Sequence, residues 1–140
     1  MKCLCIRQPY ASGIALGIKN IEARSWQTDY RGPVLLCTSK TIEEKYAELV
    51  KGNAELYPTG AAIGIATLCD CAPLRESMFD DAFLPSDFST EGMYALEFKG
   101  FLRFKEPCPA ELPETECLYD ADLPAGAAAQ LEGTPYGGIE

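Results

Sequence analysis

At 140 residues, with 47% hydrophobic and 24% charged side chains, the chain has the composition of one globular domain, not of a disordered tail or a membrane span. It contains no histidine, which removes Ser-His-Asp and Cys-His catalysis, HExxH zinc proteases and every histidine-bearing zinc finger. The net charge of −9 is uneven: residues 1–40 carry +4 and residues 41–140 carry −13, so a local positive field can sit on an acidic body.

In chain order, Cys3–Arg7 reads as a short apolar strand, and Arg7, Gln8 and Pro9 interrupt it too early for a secretory signal. With no export signal, the seven cysteines are expected to be reduced thiols in a cytoplasmic protein. Gln8-Pro9 opens a brief helix with Tyr10, Ala11, Ile14 and Ala15 on one face, stopped by Gly17. Asn20–Trp26 alternates as a strand, with Glu22, Arg24 and Trp26 on one face and Ile21, Ala23 and Ser25 on the other. Tyr30-Arg31-Gly32-Pro33 then turns the chain into a buried strand, Val34–Ser39.

Residues 41–51 are expected to form the clearest helix. Thr41 and Glu44 fit a capping box, Ile42, Tyr46, Leu49 and Val50 a buried stripe, and Gly52 a terminator. Ala61–Cys71 reads as a long strand with Ile63, Ile65, Thr67, Cys69 and Cys71 on one face. The acidic stretch 72–92 is irregular, with Phe79, Phe83 and Phe88 expected to pin it to the body. Met93–Lys105 resumes a strand bent at Gly100, and 106–117, holding Pro107, Pro109 and Pro113, reads as an extended crossing. Cys117–Tyr119 and Ala125–Leu131 suggest a short strand and a short helix. Strands without a βαβ rhythm point to a compact mixed barrel.

Three groups of residues could carry chemistry. In Gly17–Trp26, a strand face places Glu22 beside Arg24 and Trp26, with Lys19 at its start. A carboxylate between two cations stays ionised and holds them, while the aromatic offers a stacking surface for a planar polar ligand; a structural ion pair is the alternative. The pairs Cys3/Cys5 and Cys69/Cys71 each share a strand face, and two adjacent strands would bring four thiolates together. Spacing i, i+2 fits zinc poorly, however, and favours core packing, so no metal and no cofactor is assigned. Lys99, Phe101, Arg103 and Lys105 alternate along one strand, either as an amphipathic edge or as a nucleic-acid track.

The run Leu4-Cys5-Ile6-Arg7-Gln8-Pro9-Tyr10-Ala11, followed by Gly17, Lys19, Glu22, Arg24, Ser25 and Trp26, resembles the ASCH family of PUA-like barrels. Thr28, Tyr30-Arg31-Gly32-Pro33 and Ser39-Lys40 continue the resemblance, and Gly64–Cys71 looks like a later barrel strand of that family. The resemblance implies an α+β fold: a small PUA-like mixed β-barrel of about five to seven strands with two flanking helices. Residues 1–140 would then be a single ASCH/PUA-like domain, with its core in 1–105 and an irregular C-terminal extension over 106–140.

By the same resemblance, Lys19, Glu22 and Arg24 would line a cleft between the first helix and the barrel, with Arg7, Gln8 and Tyr10 at its wall. Trp26, Tyr30, Arg31, Ser39 and Lys40 complete the expected ligand-binding set. The implied function is binding of RNA or a small nucleotide- or nucleoside-like ligand, with no membrane association. The alternative is an enzyme, either an amidohydrolase acting on an N4-acylated cytosine nucleoside or a ribonuclease, using Lys19 as general base and Glu22 to relay protons. The small amidohydrolases of the family carry a Thr nucleophile three residues after the Lys; here that position is Glu22.

Overall fold

The computed structural model describes residues 1–110 and 117–139. Six strands, β1 (Lys2–Ile6), β2 (Ile21–Arg24), β3 (Gly32–Thr38), β4 (Ala61–Pro73), β5 (Tyr94–Pro109) and β6 (Tyr119–Asp120), form one mixed sheet in the order β2-β5-β4-β3-β1-β6. Only β1 and β3 run parallel. Four short helices flank the sheet: α1 (Tyr10–Ala15), α2 (Ala47–Gly52), α3 (Phe79–Ala82) and α4 (Ala127–Leu131). The α+β class and the strand number follow the expectation. The sheet stays open, and four helices flank it where two were expected.

Alternation along the strands gives the sheet two apolar faces. Leu4, Ile6, Val34 and Leu36 point to one, where Ala11, Ile14 and Ala15 of α1 cover them. Cys3, Leu35 and Cys37 point to the other, covered by Ala127 and Leu131 of α4 and by Tyr136. A third cluster joins Ile21 and Ala95 to Phe79, Ala82 and Leu74 beneath α3. Each face thus needs a helix from a different part of the chain to exclude water.

Several sequence expectations change. In β4, Ile63 belongs to the α1 face and Ile65 to the α4 face, because Ile63 is an extra residue against β3, where Leu36 pairs with Gly64 and Cys37 with Ala62; the ladder with β5 also shifts between Ala62 and Gly64. A bulge of this kind re-aims every following side chain. Gly64 sits next to it, and a Cβ there would collide with the Leu102 carbonyl oxygen. On β5, Gly100 has a left-handed backbone (φ 63°), so Phe98 and Phe101 both face α1 while Leu102 and Phe104 face α4. The stripe Lys99, Phe101, Arg103, Lys105 is therefore split at Gly100 and does not share one face.

The helix expected over 41–51 begins as a 3₁₀ turn at Glu44–Tyr46 and becomes α-helical only at Ala47. The amide of Thr41 donates to the Ser39 hydroxyl, and that of Glu43 to the Gln8 carbonyl, so the segment is anchored to its neighbours before it can coil. Of the expected stripe only Val50 is buried, and Leu49 is exposed. Over 72–92, Phe79 and Phe88 meet edge to face at 6.1 Å and pin the segment as expected, whereas Phe83 is exposed. Strand β5 runs on to Pro109, and residues 111–116 of the expected crossing, with Pro113, lie outside the described residues.

Candidate functional site

Strand β2 has one ladder, to β5, and no backbone ladder joins its other edge to β1 among the described residues. At that seam a side chain takes over. Arg24 Nη2 donates to the Cys5 carbonyl at 3.0 Å, beyond the Lys2–Cys3 end of β1 where β6 pairs. The same guanidinium grips Glu22 Oε2 through Nη2 at 2.9 Å and Nε at 3.3 Å. Glu22 and Arg24 stand two residues apart on a strand, so both project to the same side.

Lys19 reaches this carboxylate from the turn after α1. Its Nζ donates to Glu22 Oε1 at 2.7 Å and to the Ile21 carbonyl, and lies 5.7 Å from the centre of the Tyr10 ring. Lys19 is 1% exposed and Glu22 8%. Burial alone would push the Glu22 carboxyl up, but the charges and hydrogen bonds of Lys19 and Arg24 outweigh it and hold the group below its ordinary range. Burial, with Tyr46, Glu43 and Glu22 nearby, raises the Tyr10 phenol, which remains a neutral hydroxyl.

These three groups form the floor of a cavity of about 470 Å³ at the seam, within the size range of small-molecule sites. Cys5, Arg7, Tyr10, Ser39 and Glu43 make one side; Ala82, Phe83, Leu84 and Phe88 of the α3 segment make the other. Arg7 is exposed at the rim, its Nη1 3.8 Å from Glu43 Oε2. The site thus combines a charged floor, a cationic rim and aromatic rings on two sides. That combination suits a flat polar ligand carrying negative charge.

Of the residues expected from sequence, Arg7, Tyr10, Lys19, Glu22, Arg24 and Ser39 meet in this cavity. Gln8, Trp26, Tyr30, Arg31 and Lys40 do not line it. Gln8 is fully buried as a staple, donating to Ser12 Oγ and the Pro58 carbonyl at 2.8 Å and accepting from the Ser12 amide. Trp26 packs against the α1 core; the Tyr30 hydroxyl donates to the Pro33 carbonyl at 2.7 Å; Arg31 donates to the Thr28 and Tyr30 carbonyls. Lys40 is exposed, its aliphatic chain over Gly60.

The aromatic surfaces expected from Trp26 and Tyr30 are supplied instead by Tyr10, Phe83 and Phe88. Sequence reasoning missed Glu43 and the wall residues of 82–88. The three phenylalanines of 72–92 were the available signal, read as anchors.

The cysteine pairs do not meet. Cys3 and Cys5 lie on β1 and Cys69 and Cys71 on β4, with β3 between the two strands. Cys37 on β3 neighbours Cys3: the hydrogen bond between the two thiols, with burial adding to it, raises the thiol of Cys37, and the same hydrogen bond lowers that of Cys3 against the effect of burial.

The model of the ASCH domain matches residues 4–103. Over 93 aligned residues the chain is 33% identical to activating signal cointegrator 1 of Homo sapiens and 31% identical to that of Mus musculus, covering 58% of this chain. The chain spans only 16% of the length of these relatives. Among solved structures, the crystal structure of ASCH from Zymomonas mobilis aligns with a TM-score of 0.62 over 86% of this chain and 87% of that one, at 14% identity. Two mutant forms of the Zymomonas mobilis protein align at a TM-score of 0.61.

Proposed function

This chain belongs to the ASCH domain family, and from that premise we propose that it binds RNA or a nucleotide-like ligand in the cavity between α1, β1 and the α3 segment. The observation that carries the reading is the buried Lys19–Glu22 pair, gripped by the half-buried Arg24, on the floor of an open, nucleoside-sized cavity. A base edge would meet this floor, where the cations of Lys19 and Arg24 face it across Glu22. The phosphate would lie toward Arg7, and Tyr10, Phe83 and Phe88 would contact the ring faces. Residues 1–140 act in this reading as one domain, with Cys108, Ala127, Leu131 and Tyr136 closing the face opposite the ligand. A cytoplasmic location accords with free thiols at Cys3, Cys37, Cys69, Cys71 and Cys108, and no helix of the described residues is long and apolar enough to cross a membrane.

Anisotropy titration of a random single-stranded RNA pool tests the proposal. With Arg7 meeting the phosphate, log affinity falls as log salt rises, with a slope of about −0.7 for each phosphate contact. No binding at low salt, or a salt-independent affinity, overturns it.

A hydrolase is the second reading, favoured by the contact of Lys19 with Glu22 beside Ser39 in the same cavity. Against it, both Glu22 oxygens already accept from Lys19 and Arg24, so activating water would require one ion pair to open. Incubation with N4-acetylcytidine decides: turnover abolished in both Lys19→Ala and Glu22→Gln supports the enzyme, and no turnover by the unaltered protein removes it.

A further inference from the structure

A second recess of about 270 Å³ shares Tyr10 and Phe83 with the ion-floored cavity. Five large apolar side chains are exposed among the described residues, and four of them, Leu16, Ile18, Leu49 and Phe83, line this recess. Such a concentration is not scattered surface apolarity; it marks a place where something binds. Tyr46 and Tyr57 add two more rings, and Lys45 Nζ lies 5.4 Å from the centre of the Tyr46 ring, a cation beside an aromatic wall.

Phe83 is the hinge of the arrangement. It is the one non-glycine residue with positive φ among the described residues (φ 57°, ψ 41°), a conformation bulky side chains rarely adopt. It is 43% exposed although it follows directly on the buried Ala82. That backbone turns its ring away from the core and lays it over α1, with Cε2 3.7 Å from where a Cβ on Gly13 would stand. The ring is therefore held at the boundary of both recesses without being buried in either.

We infer that the two recesses are successive base sites of one single-stranded ribonucleotide, with Phe83 as the ring on which the second base stacks. The inference rests on the nucleotide-binding reading above and extends it from a nucleotide to at least a dinucleotide. Continuity favours this occupant, since a ligand leaving the first cavity past Tyr10 and Phe83 arrives on aromatic and apolar walls next to a lysine. Base stacking on such walls is tolerant of sequence. An apolar peptide is the competing occupant.

The test compares binding of uridine 5′-monophosphate, 5′-phosphorylated diuridylate, and the same dinucleotide with an abasic second unit, by calorimetry on the whole chain. The dinucleotide binds roughly tenfold or more tightly than the mononucleotide, and the abasic compound falls back toward the mononucleotide. Phe83→Leu, which keeps an apolar side chain but removes the ring, and the surface double variant Ile18→Ser/Leu49→Ser both erase most of the tenfold gain. The double variant leaves mononucleotide affinity unchanged. If the mononucleotide binds and the second base adds nothing, or if its gain survives both variants, this inference fails while the binding proposal stands. If neither nucleotide binds, the binding proposal fails and takes this inference with it. Saturation of the recess by an apolar peptide without competition from the dinucleotide also overturns the inference.

Discussion

Arg24 and Cys5 meet through one hydrogen bond, guanidinium Nη2 to backbone carbonyl at 3.0 Å, at the edge where β1 and β2 share no ladder. The same nitrogen holds Glu22, so one planar group fixes both the seam and the carboxylate. A lysine has no fork with which to do both. Arg24→Lys is expected to lower the free energy of unfolding by about 2 kcal/mol, because it leaves a buried carboxylate with one of its two cations misplaced. Urea denaturation reads this as a lower midpoint at an unchanged slope.

Glu22 gives the protein an acid-sensitive element. Its folded carboxyl titrates below its ordinary value, so as pH falls the unfolded chain takes up this proton first. The stability it contributes is complete above pH ~4.3, the ordinary glutamate value, and is lost as pH falls through the lower folded value. Glu22→Gln removes that dependence, and a series of melts between neutral and acidic pH should show the acid limb flattened in the variant. An equally steep limb in Glu22→Gln would assign the acid sensitivity to other carboxylates. The same variant separates binder from enzyme: RNA affinity is retained or rises as a negative charge leaves the floor, whereas hydrolysis would collapse.

Gly100 and Tyr136 form a second joint. The Tyr136 hydroxyl donates to the Gly100 carbonyl at 2.6 Å and lies 2.7 Å from Thr67 Oγ1, and a Cβ on Gly100 would come within 2.7 Å of that hydroxyl. Gly100→Ala must bear both the left-handed backbone, ~1–2 kcal/mol for a residue with a Cβ, and displacement of the tyrosine. Tyr136→Phe loses the hydrogen bonds alone, about 1–2 kcal/mol. Thermal melts should rank Gly100→Ala below Tyr136→Phe, and the double variant should cost less than the sum, since both act on one contact.

Thiol labelling followed by mass spectrometry should report the layering of the sheet. Cys3, Cys37 and Cys108 are buried and react only after denaturation, while half-buried Cys71 reacts in the native protein. Cys69 reacts more slowly than its exposure suggests, because burial and the nearby Glu97 raise its thiol and leave little thiolate. Rapid native labelling of Cys37 would contradict the packing of β1 against β3.

Much of the fold was legible because alternation and helix spacing are local. The strands of residues 3–38, α1 and the bend at Gly100 are written in short-range pattern. The Lys19–Glu22–Arg24 grouping was legible for the same reason, since strand geometry alone puts Glu22 and Arg24 on one side. The bulge of β4 was not, because an inserted residue is decided by the partner strand: Ile63 and Ile65 look equivalent until β3 pairs with Ala62 and Gly64 and leaves Ile63 over. Nor was the late start of α2, which depends on Glu43 donating to a carbonyl 35 positions earlier in the chain, that of Gln8. Trp26 was assigned to the ligand on strand parity, yet β2 ends at Arg24 and the indole turns into the α1 core.

The contact between Tyr136 and Gly100 bears on how this protein can be cut. The family match ends at residue 103, and a fragment trimmed to that limit would lack β6, α4 and the tyrosine clamp. Cys3, Leu35, Cys37, Ala62 and Ile65 would then stand bare on one whole side of the sheet. Such a fragment is expected to precipitate or self-associate, even with the Lys19–Glu22–Arg24 cavity intact, because the tail serves as the lid of the opposite side.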